Sequence, residues 1–286
     1  MPGVTSISKL LDYAKLARIE HGVMASLAVV AGALSVQGLS QRISAVSLLP
    51  TVASVLLTEM SLFASNDVFN VEEDRINNPL RPIVSGRISI REAELFAAAT
   101  GGLAILVAIT VNVQCFLIIL AALIMGNLYN YLLKKYAFFG NIIVSGLTSL
   151  TFPYGAISVA GSLTEKPLLF FIIAFLANLG REIAKGIRDL EGDMRAGVCT
   201  LPCEIGVECS GVIAGIFMLM AVLLSFYGVN YVSAKTVYAA LISFTDALFI
   251  YAVFTLISRP SLKKAEVARK LTLPAMLVAI IAFTLP

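Results

Sequence analysis

Nine apolar stretches follow one another along the chain, at about residues 21–38, 45–65, 92–112, 114–133, 140–160, 167–187, 209–228, 235–257 and 271–285. Each approaches the roughly 20 mostly apolar residues that an α-helix needs to cross a bilayer's hydrocarbon core. Several are separated by only a few residues, which forces neighbouring helices to run antiparallel. The pattern predicts an all-α, multi-span transmembrane helical bundle of about nine helices, one domain over 1–286. Ahead of the first stretch, Ile7, Leu10, Leu11, Ala14 and Leu16 are interleaved with Lys9, Asp12, Lys15 and Arg18. This lead, residues 1–20, is expected to lie at the membrane interface rather than to be a cleaved leader.

Composition agrees with that class. Hydrophobic residues make up 58% of the 286 and charged residues 14%, with a mean hydropathy of +0.90. Soluble domains run about 45–50% apolar and about 25% charged. A net charge of +3 is too small to argue for nucleic acid, and no protein partner is expected. The basic residues do orient the chain. Eighteen of the 21 Lys and Arg fall in the lead and in segments 66–91, 134–139, 181–208 and 258–270, against Arg42, Lys166 and Lys235 elsewhere. Positive residues concentrate on the cytoplasmic side, so the first set is expected there, with the N-terminus inside and the C-terminus outside. The cysteines Cys115, Cys199, Cys203 and Cys209 match no common zinc spacing, and His21 is the only histidine. Their placement is expected to reflect chance, with neither a metal nor a disulfide.

Segments 66–91 and 181–208 are long for a compact bundle and rich in both acids and bases, which points to function. The first opens on Asn66-Asp67-Val68-Phe69-Asn70, continuing through Glu72, Glu73, Asp74 and Arg75. If the preceding helix persists, Asn66, Asn70 and Asp74 repeat every four residues along one face, with Asp67 adjacent. Oxygen ligands so arranged suit Mg²⁺, which shares its coordination with substrate phosphates. The second segment places Asp189 and Asp193 four apart, after Arg181, Lys185 and Arg188, whose cations can meet diphosphate oxygens. A charged segment between spans is ordinarily just a solvated helix end. Two acidic sets on one side of the membrane, each interleaved with bases, argue for chemistry instead. Tyr131, Lys134 and Lys135, at the end of the fourth stretch, fit either an interfacial belt or a third source of diphosphate contacts. Of the two acids deep in apolar runs, Glu59 suits a cavity wall or a helix–helix hydrogen bond equally, and Asp246 is read as structural.

Asn66-Asp67…Asp74, Asp189-x-x-x-Asp193 and the Tyr/Lys set together resemble the signature of the UbiA-type intramembrane prenyltransferases, over the whole chain and in order. The resemblance implies a nine-helix bundle with a cytoplasmic cap over a central cavity open to lipid, holding two Mg²⁺ and an isoprenoid diphosphate. It implies metal ligation by Asn66, Asp67, Asn70, Asp74, Asp189 and Asp193, the four aspartates being the catalytic set. Asn70 stands where the family pattern has an aspartate; its amide oxygen coordinates without charge, which shifts load to Asp67 and Asp74. Arg75, Arg81, Tyr131, Lys134, Lys135, Arg181, Lys185 and Arg188 are the implied diphosphate contacts. Arg18 is either a positive-inside anchor or a site for an acceptor's phosphate. Phe63, Phe69, Tyr129 and Tyr154 are candidates to stabilise an allylic cation through their rings.

The wording from Asp74 to Gly86 and from Gly192 to Pro202 is most similar to the branch that builds archaeal ether lipids. Members of that branch move geranylgeranyl from geranylgeranyl diphosphate to geranylgeranylglyceryl phosphate, a lipid-phosphate acceptor. An aromatic acceptor, as in quinone synthesis, is the alternative within the family. A transporter is the alternative outside it, disfavoured because the acids cluster at one membrane face and not at the midplane.

Overall fold

The computed structural model describes residues 6–36, 43–195, 197–258 and 260–286. Twelve α-helices follow in order: α1 Ser6–Leu16, α2 Ile19–Leu34, α3 Ala45–Phe69, α4 Val71–Asn77, α5 Ile90–Val111, α6 Val113–Tyr131, α7 Ala137–Ser149, α8 Thr151–Ala160, α9 Glu165–Arg195, α10 Leu201–Tyr227, α11 Lys235–Ile257 and α12 Leu262–Phe283. Each of the nine expected spans overlies one of these helices or the α7–α8 pair. Seven helical stretches among the described residues are long and apolar enough to cross a membrane, and eight if α1 and α2, bent by 57°, count as one. The other expected span, 271–285, falls on α12, which is not apolar enough over its length because Lys263, Lys264, Glu266, Arg269 and Lys270 occupy the first half of that helix. In α10 the span starts beyond a break at Gly206, whose φ of 82° is left-handed. Arg42, counted with the outward-facing bases, and Arg259 lie outside the described residues.

Helix ends follow their residues. Ser89 and Glu92 form a reciprocal capping box at the start of α5, which satisfies two orphan N–H groups at once. Asn112 accepts from the Cys115 N–H at 2.7 Å, starting α6 one residue after α5 stops. α9 sits at the centre of the largest core, with Phe170, Leu179, Ile183 and Ile187 all but inaccessible, and packs against α7, α8, α10 and α12. Beside it, α2 and α8 cross backbone to backbone. A Cβ on Gly155 would lie 2.0 Å from the Val29 carbonyl oxygen, and one on Gly32 would lie 2.1 Å from that of Phe152. Only glycine permits that approach.

α1 leaves Ile7, Leu10 and Leu11 exposed and is fastened to the bundle by Lys9–Glu92 at 2.6 Å and Asp12–Arg87 at 2.9 Å. Between α1 and α2 the chain turns at Arg18, whose φ of 46° is left-handed, a strained choice for a side chain of this size.

One expectation is corrected here. Cys199 and Cys203 form a disulfide, with Cα atoms 5.3 Å apart. The cause is local: the Cys203 N–H bonds the Thr200 carbonyl at 2.8 Å, and this turn brings residues four apart together. Cys115 is buried and Cys209 exposed, both free.

Candidate active site

The acidic motifs sit on helix and not on loop. Past Phe69, the turns continue through Asn70: Asn70 N–H to Asn66 O at 3.0 Å, Asp74 to Asn70 at 2.9 Å and Asn78 to Asp74 at 2.8 Å. α9 likewise runs unbroken to Arg195, so the first half of segment 181–208 is helical. At about 1.5 Å per residue its 31 residues reach about 46 Å, well beyond a roughly 30 Å hydrocarbon core. Its polar end therefore projects past the apolar layer as a rigid rod.

Asp67, Asn70 and Asp74 are buried. Arg18 Nη2 donates to Asp67 Oδ1 at 2.6 Å and lies 3.5 Å from Asn66 Oδ1, while its guanidinium covers the Phe63 ring at 4.6 Å. Arg81 Nη1 donates to Asp67 and, at 2.5 Å, to Asp74 Oδ2. Asn66 Nδ2 donates to Asn130 Oδ1 at 2.9 Å, fixing its amide. Lys134 reaches Asn70 Oδ1 at 3.0 Å and pairs with Glu73. Burial pushes the Asp74 carboxyl up, against the pull of Arg81, and pushes the Arg81 guanidinium down. Burial also holds the Lys134 ammonium down to about 8.

The second motif closes on the first. Asn77 Nδ2 donates to Asp193 Oδ1 at 3.4 Å. Gly192 lies directly beneath Asn77, where a Cβ would fall 1.9 Å from its amide oxygen. Asp189 is gripped by Arg188 through two bonds of 2.6 and 2.5 Å. Between the motifs lies a polar pocket of about 90 Å³ that Asn66, Asn70, Asp74, Asp189 and Asp193 all line, with Lys134, Lys185 and Arg188. It adjoins a chamber of about 340 Å³ whose far walls carry Ile173, Ala177, Ile242, Phe249 and Phe283. Arg18, Asn78, Arg81, Glu182, Lys185 and Arg188 line both spaces.

Among the described residues, no three carboxylates, thiols or imidazoles gather closely enough to hold a metal unaided. Two carboxylates per motif with neighbouring amides instead leave positions for phosphate oxygens, the ligation Mg²⁺ favours. Cations already interleave these acids, Arg81 lying between Asp67 and Asp74. The residues present fit a divalent ion shared with a diphosphate.

Most of the expected residues line these spaces; Asp67, buried against Arg18 and Arg81, does not, nor do several others. Arg75 points to solvent, paired with Glu72. Tyr131 is exposed and packs edge-on against Phe69. Arg181 lines the chamber but not the polar pocket. The side chain of Lys135 lies outside the described residues. Of the aromatics, Phe63 faces the chamber and Tyr129 the pocket, while Tyr154 is buried at 2.6 Å from Ser54 Oγ. Glu59 borders neither space. Asp246, read as structural, lines the chamber and accepts from Ser225 Oγ at 2.8 Å. Asn77, Asn78, Glu182 and Arg269 also line these spaces, and the sequence reading does not single them out as site residues. Asn78 was findable, one turn beyond Asp74, whereas Arg269 looks like any anchoring cation.

Residues 24–280 match the sequence profile of the UbiA prenyltransferase family. The chain belongs to that family. Among UbiA-family relatives, digeranylgeranylglyceryl phosphate synthase of Thermococcus sibiricus is 34% identical, covering 83% of this chain and 86% of its own length. The enzyme of the same name from Methanocaldococcus jannaschii is 31% identical over 97% and 96%. A solved structure concerned with digeranylgeranylglyceryl phosphate synthase in membranes superposes with a TM-score of 0.74 at 30% identity, covering 96% of this chain and 97% of that one. A UbiA homologue from Archaeoglobus fulgidus, bound to GPP and Mg²⁺, shares the fold at a TM-score of 0.68 and 20% identity, covering 96% and 100%.

Proposed function

We propose that this UbiA-family chain is a Mg²⁺-dependent geranylgeranyltransferase acting on geranylgeranylglyceryl phosphate, with geranylgeranyl diphosphate as donor, forming the second ether link of archaeal membrane lipids. One observation carries the chemistry: a polar pocket between two acidic motifs that shares its basic wall with an apolar chamber. The names of the relatives support the choice of substrates.

The donor diphosphate sits in the polar pocket, where Lys134, Lys185, Arg188 and Arg81 neutralise its oxygens. Asn66, Asp67, Asn70 and Asp74 on one side and Asp189 and Asp193 on the other would hold Mg²⁺, two ions as the family resemblance implies. Bound there, Mg²⁺ supplies charge that stabilises the departing diphosphate. The C1–oxygen bond breaks with its electron pair leaving on the diphosphate. The chamber takes the prenyl chain and excludes water from the allylic cation, and Phe63 presents a ring to it. The acceptor's glycerol hydroxyl forms the new C–O bond at C1, and its proton passes to the released diphosphate. The gathering of 18 of the 21 basic residues in the segments on this side supports a cytoplasmic active-site face.

The test is a two-substrate assay on purified protein with Mg²⁺ and geranylgeranyl diphosphate, offering geranylgeranylglyceryl phosphate or 4-hydroxybenzoate. Transfer to the lipid phosphate is expected. Transfer to the aromatic acid alone would overturn the acceptor assignment.

A further inference from the structure

The chamber carries a second concentration of positive charge that the metal site does not use. Arg181 on α9 and Arg269 on α12 both line the chamber, and neither lines the polar pocket. Arg181 is only 7% exposed. Its hydrogen bond is from Nη1 to Glu182 at 3.5 Å, the outer limit for such a contact, and its Nε has no partner. A buried guanidinium with an unused donor is costly until something accepts from it. Arg269 and Arg188 stand close enough for their like charge to act on Arg181. Arg269 turns two donors to Glu266, at 2.9 and 3.1 Å, and Glu266 also serves Arg188 at 3.5 Å.

Lys185 and Arg188 line the donor's diphosphate pocket, which leaves Arg181 and Arg269 on the chamber side with Glu182 and Glu266 as their carboxylate partners. A phosphate monoester, carrying about −1.5 to −2 at neutral pH, supplies the acceptor oxygens that the unused Arg181 donor lacks. Guanidinium groups suit it through paired N–H donors. Arg18 is less available, being engaged with Asp67, Asn66 and the Phe63 ring.

We propose that the wall between α9 and α12, centred on Arg181 and Arg269, docks the phosphate of the lipid-phosphate acceptor, apart from the donor's diphosphate pocket. This rests on the acceptor assigned above. A phosphate held there directs the glycerol hydroxyl toward the boundary of pocket and chamber, where C1 of the donor is released.

Steady-state kinetics on wild type, R269Q, R181Q and R181K test the site, with geranylgeranyl diphosphate as donor. The acceptor is either geranylgeranylglyceryl phosphate or the same ether lacking its phosphate. R269Q and R181Q are expected to raise the phosphorylated acceptor's KM by about tenfold or more, the scale of a lost charge-assisted contact. The donor KM should stay in place, and R181K should recover part of the loss. With the phosphate-free acceptor, R269Q and wild type should become equal. R269Q alters a partly exposed residue and reports on the site even if R181Q fails to fold. An unchanged acceptor KM in R269Q, a rise in donor KM instead, or an equal deficit with the phosphate-free ether would overturn the site. Wild type that transfers to neither glyceryl acceptor would overturn the acceptor assignment itself, and this site with it.

Discussion

Replacing Arg81 with alanine should move metal binding and turnover in opposite directions. Arg81 Nη1 is shared by Asp67 and Asp74, the two carboxylates of the first motif. A divalent ion arriving there must displace or share that guanidinium. A hydrogen bond to a charged group contributes about 1.5–3 kcal/mol. The Arg81 side chain is 23% exposed, and Arg18 continues to neutralise Asp67 when Arg81 is gone, so the lower end applies. Relief of about 1.5 kcal/mol tightens metal binding by about tenfold in the absence of donor. Turnover loses one preorganised cation from the leaving-group side, a loss on the order of 10²–10³ in kcat. Mn²⁺ titration followed by electron paramagnetic resonance, with Mg²⁺ as competitor, measures the first effect. Initial rates at saturating Mg²⁺ measure the second, with Arg81→Lys falling between. Equal or weaker Mn²⁺ binding in Arg81→Ala would show that these carboxylates and this guanidinium do not compete for a cation.

Alanine at Asp67 or at Asp193 should abolish Mg²⁺-dependent transfer while the protein remains monodisperse in detergent; full activity in either variant removes that residue from the metal set. Gly155→Ala should destabilise the bundle by about 1–3 kcal/mol or more, because its Cβ meets the Val29 carbonyl oxygen at 2.0 Å; an unchanged melting midpoint in detergent contradicts the close crossing of α2 and α8. The Lys134 ammonium, held by burial to about 8, is lost as pH rises through that value. Donor affinity measured on metal-free protein should therefore weaken above about pH 8, and Lys134→Arg, charged throughout, should remove that limb. An affinity that is flat over the same range in wild type would exclude Lys134 from the donor's contacts.

Much of this architecture was legible because its signals are periodic. The apolar stretches located the spans, and the four-residue spacing of Asn66, Asn70 and Asp74 matches i to i−4 hydrogen bonds that continue across the junction of α3 and α4 at Asn70. What was not legible depends on partners distant in sequence. Nothing near Arg269 announces that α12 delivers it to the wall of α9. Arg75 and Arg81 look equivalent in sequence, yet Arg75 faces solvent from within α4 while the turn after that helix brings Arg81 between two aspartates. The disulfide ran against expectation because its two cysteines are joined by a single local turn, which leaves none of the wider spacing of a disulfide framework.

α9 runs without a break from the apolar floor of the chamber to the metal motif. Ile173 and Arg188, both lining the chamber, are 15 residues apart on it, about 22 Å at 1.5 Å per residue. The helix is thus a measuring rod with its zero mark at the diphosphate. Because both ends of the scale belong to one rigid element, loop movements cannot rescale it. On the proposed binding mode, the length of prenyl chain admitted would be set by side-chain bulk at the graduations, Ile173, Ala174 and Ala177, which line the chamber with residues of α11 and α12.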